Sequence, residues 1–173
     1  TVDYTSDATG QVTAADSDYS DDESYTYDDN GNRVTANGST YVTGVDNRLI
    51  SDGTYRYVYD AEGNRTARFV DTDTDGVLDA GDADITVYTW DYRDRLTEVE
   101  HFSTHTNYTA GTSDQTVSYV YDAFNRLIGR TLDADGSGGT GDVARSVYVH
   151  DGDQIVAEFN QTAANGSSSD LTA

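Results

Sequence analysis

Tyr27-Asp28-Asp29-Asn30-Gly31-Asn32-Arg33 and Tyr59-Asp60-Ala61-Glu62-Gly63-Asn64-Arg65 are the same phrase written twice. It returns as Trp90-Asp91-Tyr92-Arg93-Asp94-Arg95-Leu96 and as Tyr121-Asp122-Ala123-Phe124-Asn125-Arg126-Leu127. A weaker copy, Val45-Asp46-Asn47-Arg48-Leu49, has Gly44 where the Asp should stand. An internal repeat decides architecture before any single residue is considered. Ahead of each turn the aromatics alternate: Tyr55, Tyr57 and Tyr59; Tyr88, Trp90 and Tyr92; Val117, Tyr119 and Tyr121. Period-2 spacing puts each set on one face of a strand. Asp, Asn and Gly in the turn tolerate positive φ or bond backbone N–H groups, so Tyr-Asp and Asn-Arg bracket a hairpin turn. The expected fold is all-β, built of antiparallel β-hairpin repeats. Arg65 and Arg126 are expected to lie against an Asp or Tyr of the adjacent hairpin.

The repeated Tyr-Asp and Asn-Arg string resembles the YD-repeat (RHS) family, whose large secreted or surface members include bacterial polymorphic toxins, insecticidal toxin complexes and animal teneurins. The resemblance runs from about Ser24 to Asn160, and Tyr148-Val149-His150-Asp151-Gly152-Asp153-Gln154-Ile155-Val156-Ala157-Glu158 is similar to the segment leading toward the core region of bacterial members. It implies strand-turn-strand units wound into a continuous ribbon or part of an RHS-type β-shell. It also implies an extracellular or cell-surface location. In bacterial relatives the shell encloses a C-terminal toxin, which here would lie beyond Ala173.

Composition agrees with a sheet rather than a thick core. Hydrophobic residues make up 35% of the chain, against about 45–50% in ordinary domains, and the aromatic content rests on 14 Tyr. The net charge of −22 repels phosphate backbones and anionic membranes, which excludes nucleic acid as an electrostatic partner. No apolar run approaches the roughly 18 residues of a membrane helix. All 10 basic residues are Arg, whose planar fork suits carboxylates and Tyr faces. Cysteine is absent, so neither disulfides nor thiolate metal sites are available. The organisation expected is residues 1–23 as a degenerate repeat or poorly ordered lead-in, 24–160 as the repeat segment and 161–173 as a polar tail. Thr1-Val2-Asp3-Tyr4 has neither a Met nor a signal pattern, as expected of a segment of a longer protein.

Two insertions interrupt the repeats. The first, Asp71-Thr72-Asp73-Thr74-Asp75-Gly76-Val77-Leu78-Asp79-Ala80-Gly81-Asp82, matches a twelve-residue calcium loop. Ligands fall at Asp71, Asp73, Asp75, the Val77 carbonyl, Asp79 and Asp82, with Gly76 at the sharp turn. The closing Asp resembles dockerin-type loops, but the β-branched and aromatic flanks are strands instead of helices. The reading is a hairpin tip that binds Ca2+. The second, Asp133 to Asp142, offers a weaker set of Asp133, Asp135, Ser137 and Asp142; a plain Gly-rich loop is the alternative.

No catalytic constellation is present. His101 and His105 stand four apart, but Phe102-Ser103-Thr104-His105-Thr106-Asn107 has poor helix propensity, and a nucleophile elbow and a phosphate loop are both absent. The leading reading is a non-catalytic structural segment of a large extracellular RHS-like protein, stabilised by calcium, with neighbouring repeats of the same longer chain or like subunits as partners. The alternatives are a surface adhesion or glycan-binding module, its exposed Tyr and Trp stacking on sugars, and a subunit of an extracellular fibre.

Overall fold

The computed structural model describes residues 1–137, 139 and 141–164. They are mostly β, with antiparallel hairpins and one short helix. The chain divides into a unit from Thr1 to Tyr57 and a second from Val58 onward.

In the first unit β1 (Val2–Ser6), β2 (Val12–Ser17), β3 (Glu23–Tyr27), β4 (Arg33–Ala36) and β5 (Ser39–Thr40) form a sheet in chain order. β6 (Val42–Thr43) and β7 (Leu49–Ser51) follow as a further antiparallel pair, and Ser51 pairs with Arg56 at the start of β8 (Arg56–Tyr59). Only Ala15 and Ala36 are buried hydrophobics here. Beside the strand pairing, Arg33 packs between two Tyr rings: its guanidinium lies 4.7 Å from the Tyr25 ring centroid and 5.7 Å from that of Tyr41.

The second unit carries β9 (Arg65–Val70), β10 (Ala83–Trp90), β11 (Leu96–Thr104), α1 (His105–Ala110), β12 (Gln115–Tyr121), β13 (Leu127–Asp133), β14 (Asp142–Asp151) and β15 (Gln154–Ala164). Each strand from β9 to β15 pairs antiparallel with its sequence neighbour. β15 continues past Asn160, and residues 165–173 of the expected tail lie outside the described residues.

The sheet, the first insertion and α1 meet over one small core. Phe69, Ile85 and Phe102 are buried on one face of β9, β10 and β11, covered by Leu78 from the first insertion and Tyr108 from α1. The Tyr108 ring meets Phe102 edge-on at 5.6 Å. The helix was not expected. His105-Thr106-Asn107-Tyr108-Thr109-Ala110 has modest helix propensity, yet Thr104 Oγ1 accepts the Asn107 N–H, Gly111 closes the far end in the left-handed region, and Tyr108 anchors it. His101 sits in β11, so the histidine pair does not share a helix, and His101 Nε2 lies 2.9 Å from Asp84 Oδ1.

Candidate metal loop and turn ladder

One five-residue turn recurs. The first residue's N–H bonds the fifth residue's carbonyl in Asp7–Gln11 (2.9 Å), Asp28–Asn32 (2.9 Å), Gly44–Arg48 (2.8 Å), Asp60–Asn64 (3.0 Å), Asp91–Arg95 (3.0 Å) and Asp122–Arg126 (3.0 Å). The fourth residue takes a positive φ, as Gly10, Gly31, Asn47, Gly63, Asp94 and Asn125 in turn. Where the first residue is Asp, its Oδ1 accepts the fifth residue's N–H at 2.7–3.2 Å. The copy at Asp7-Ala8-Thr9-Gly10-Gln11 has neither Tyr nor Arg and falls in the stretch expected as a degenerate repeat or poorly ordered lead-in. Its signal was there, since Asp and Gly hold the spacing of Asp28 and Gly31.

Counting from the Asp corrects the repeat's phase. Arg33 and Arg65 are the first strand residues after their turns, whereas Arg95 and Arg126 are the fifth turn residues, in the place of Asn32 and Asn64. The fifth position works in two directions. It bonds back to Asp Oδ2 of its own turn: Asn32 Nδ2 to Asp28 at 3.0 Å, Asn64 Nδ2 to Asp60 at 3.2 Å, Arg95 Nε to Asp91 at 2.7 Å and Arg126 Nε to Asp122 at 2.7 Å. It also reaches forward to a following turn. Asn32 donates to Asn47 Oδ1 (3.1 Å), Asn64 to Asp94 Oδ1 (3.0 Å), and Arg95 Nη1 to Asn125 Oδ1 (3.1 Å) and the Asp122 carbonyl (3.2 Å). So the fourth residue of a receiving turn is Asn or Asp for two reasons, positive φ and an acceptor oxygen. Arg95 also lies 4.9 Å from the Tyr121 ring centroid. Arg126 does reach the next hairpin, but its partner there is the Gly152 carbonyl at 2.5 Å rather than a side chain.

These bonds hold the Asp7, Asp28, Asp91 and Asp122 carboxyls below their ordinary range. The Arg95 guanidinium is the main cause at Asp91; at Asp122 burial pushes the other way and is outweighed by the Arg126 N–H and guanidinium. A carboxyl depressed in the folded state adds stability above its unfolded value of about 3.9, and that stability is lost as pH falls through the lower folded value. Asp122→Asn should therefore melt below the parent at neutral pH, and the gap should close as pH falls below about 4. Thermal melts followed by circular dichroism across pH 3–7 measure this; a gap independent of pH contradicts the charge-assisted turn.

The first insertion gathers its carboxylates into two groups that share Asp73: Asp71, Asp73 and Asp82, and Asp73, Asp75 and Asp79, with one oxygen from each residue within 4.8 Å of the others. Backbone N–H groups shape it. Gly76 N donates to Asp71 Oδ2 (3.0 Å), Val77 N to Asp75 Oδ1 (2.7 Å), Asp79 N to Asp82 Oδ2 (2.9 Å) and Gly81 N to Asp79 Oδ1 (2.9 Å). Gly76 takes φ 81 at the bend. A Cβ at Gly81 would stand 3.6 Å from carboxylate oxygens of both Asp73 and Asp79. The Asp75 N–H lowers the Asp73 pKa, but burial and the charges of Asp75, Asp79 and Asp82 outweigh it and push that carboxyl up. An all-oxygen cluster of like charges at this spacing fits a hard divalent cation.

The second insertion folds otherwise. Asp135 Oδ2 accepts the Gly141 N–H at 2.5 Å within its own loop. Ser137 is taken up by the turn before β12, its Oγ accepting the Ser113 N–H (3.0 Å) and donating to the Gly111 carbonyl (3.1 Å). Asp133 ends β13, and the Asp142 side chain lies outside the described residues. Among the described residues, carboxylate groups close enough to share a metal occur in the first insertion alone.

No protein-family model and no curated protein matches the chain. Solved structures do. The crystal structures of TcdB2-TccC3 and TcdB2-TccC3-Cdc42 both align at TM-score 0.62 and 14% identity, over 95% and 96% of this chain. TcdB2-TccC3-TEV aligns at 0.60 and 13% over 95%. The fold resembles part of TcdB2-TccC3. This chain covers 9% of each of those chains. At such identity the likeness is one of fold, so the ladder and the acidic loop stand on this chain's own geometry.

Proposed function

We propose that this chain is a non-catalytic wall segment of a large extracellular RHS-like protein, with a calcium ion closing its first insertion. The observation that carries the reading is the turn ladder. Within the second unit, hairpins joined turn to turn by Asn64, Arg95 and Arg126, in strand order without crossover, build a surface that extends by adding repeats. The likeness to a small part of the much longer TcdB2-TccC3 chains supports the same reading. Calcium would be held by Asp71, Asp73, Asp75, the Val77 carbonyl, Asp79 and Asp82, tying β9 to β10 across the covered core. The extracellular location rests on the family resemblance and on the millimolar calcium such loops need. Electron cryomicroscopy of the natural gene product tests the shell: these strands should run unbroken into the wall of a closed hollow body. A free-standing module on a stalk, or an open fibre, overturns it.

A further inference from the structure

The core face of β9–β11 continues onto β12–β15, where among the described residues Val120, Val147 and Val149 are exposed. Directly paired residues point to one face of a sheet. Through Val120–Gly129, Gly129–Val147 and Val147–Phe159, one cross-strand row therefore runs over four strands. Val120 is 54% exposed, Val147 40% and the next valine on that strand, Val149, 43%. Gly129 interrupts the row with a dip between two valines; a Cβ there would lie 3.7 Å from the Val120 Cβ, an ordinary contact. The neighbouring row on the same face reads Glu98–Ser118–Thr131–Arg145, acidic at one end and basic at the other. Glu100 stands beside Glu98 on that face, and burial together with the Glu98 charge pushes its carboxyl up.

We infer that this face docks a second copy of itself through a two-fold axis lying along the strands, midway between β12 and β13. Such an axis exchanges β12 with β13 and β11 with β14 of the other copy. Val120 then falls over the partner's Gly129 dip, and Glu98 over the partner's Arg145. Both matches belong to one operation, as an isologous interface requires. The sheets meet face to face at about 10 Å, the spacing at which side chains interdigitate. Three strand spacings of about 4.8 Å separate Glu98 from Arg145, so the patch is small. Interfaces well under about 1,200 Å² are weak and transient, and two chains of charge −22 repel. The dimer is accordingly one of high protein concentration.

Sedimentation velocity over a concentration series, in chelator so that no metal bridges the copies, tests it. The parent chain should dimerise reversibly toward high micromolar concentration. Gly129→Val, which fills the dip, and Arg145→Glu, which sets like charges opposite, should remain monomeric at the same concentrations with unchanged circular dichroism. Glu98→Arg combined with Arg145→Glu should restore the dimer. If Gly129→Val fails to fold, Gly129→Ala takes its place and should weaken association at least threefold. A parent chain monomeric throughout, a dimer undiminished in the single variants, or a charge-swapped chain that stays monomeric overturns the inference.

Discussion

Millimolar calcium should raise the melting temperature of this chain by several degrees, and magnesium should do so less. Five carboxylates, from Asp71, Asp73, Asp75, Asp79 and Asp82, crowd one loop, and the charges of Asp75, Asp79 and Asp82 push the Asp73 carboxyl up. A bound divalent ion removes that repulsion. Leu78, within the same loop, covers Phe69, Ile85 and Phe102, so loop closure and core burial are coupled. A ligand bound only by the folded state stabilises it by about 2.7 kcal/mol at a hundredfold excess over Kd. Extracellular loops of this type bind at roughly 10⁻⁴–10⁻³ M. At about 2–4 °C per kcal/mol for a chain of this size, ~10 mM calcium should lift the midpoint by about 5–10 °C if Kd is near the tight end of that range. Magnesium keeps its waters and demands near-ideal octahedral geometry, so a loop that supplies most of its ligands from protein suits it less. Replacing Asp71 and Asp75 with Ala should abolish most of the response. The decisive quantity is the calcium-dependent shift, because removing two like charges also relieves the metal-free loop. A double variant that keeps the full shift shows that the ion binds elsewhere.

Strands were legible because Tyr, Val and Trp alternate with polar residues, and a one-residue slip would turn a whole aromatic set to the other face. Turns were legible through Asp, Gly and Asn. Their phase was not, since aligning the Asn-Arg letters pairs Arg33 with Arg126, while the backbone counts five residues from the Asp. Arg33 opens a strand and stacks on Tyr25, whereas Arg126 closes a turn and bonds Asp122. Chemistry keyed to a backbone hydrogen bond cannot be aligned by residue name alone. The clustering of carboxylates in the acidic loop was readable because those residues are local in sequence. α1 and the docking of the second insertion were not, because each depends on distant partners: Tyr108 on the Phe102 core, and Ser137 on Ser113.

That second insertion yields the other large expected effect. Gly136→Ala should detach the loop from the sheet end and lower stability by about 1–3 kcal/mol, the usual cost of forcing extra bulk into a packed contact. Gly136 takes φ +67, and a Cβ built there would stand 1.9 Å from the Ser113 carbonyl oxygen and 2.5 Å from its carbonyl carbon. Both neighbours are backbone, so no rotamer change relieves the contact. Ser113 cannot retreat. It is 2% exposed, its N–H donates to Ser137 Oγ, its hydroxyl accepts the Ser137 N–H at 3.2 Å, and that hydroxyl lies 2.9 Å from Thr116 Oγ1. Undocking would strand this buried group without its Ser137 partners, a cost of about 1–3 kcal/mol for an unsatisfied donor or acceptor. The damage should be local, with slowed amide exchange at Ser113 and Ser137 lost while exchange at Phe69, Ile85 and Phe102 is unchanged. Hydrogen exchange followed by mass spectrometry separates these outcomes. Protection at Ser113 that survives in Gly136→Ala would show that the loop does not depend on this close approach, and Ser137→Ala, which removes the hydroxyl bonds without adding bulk, should fall between the parent and Gly136→Ala.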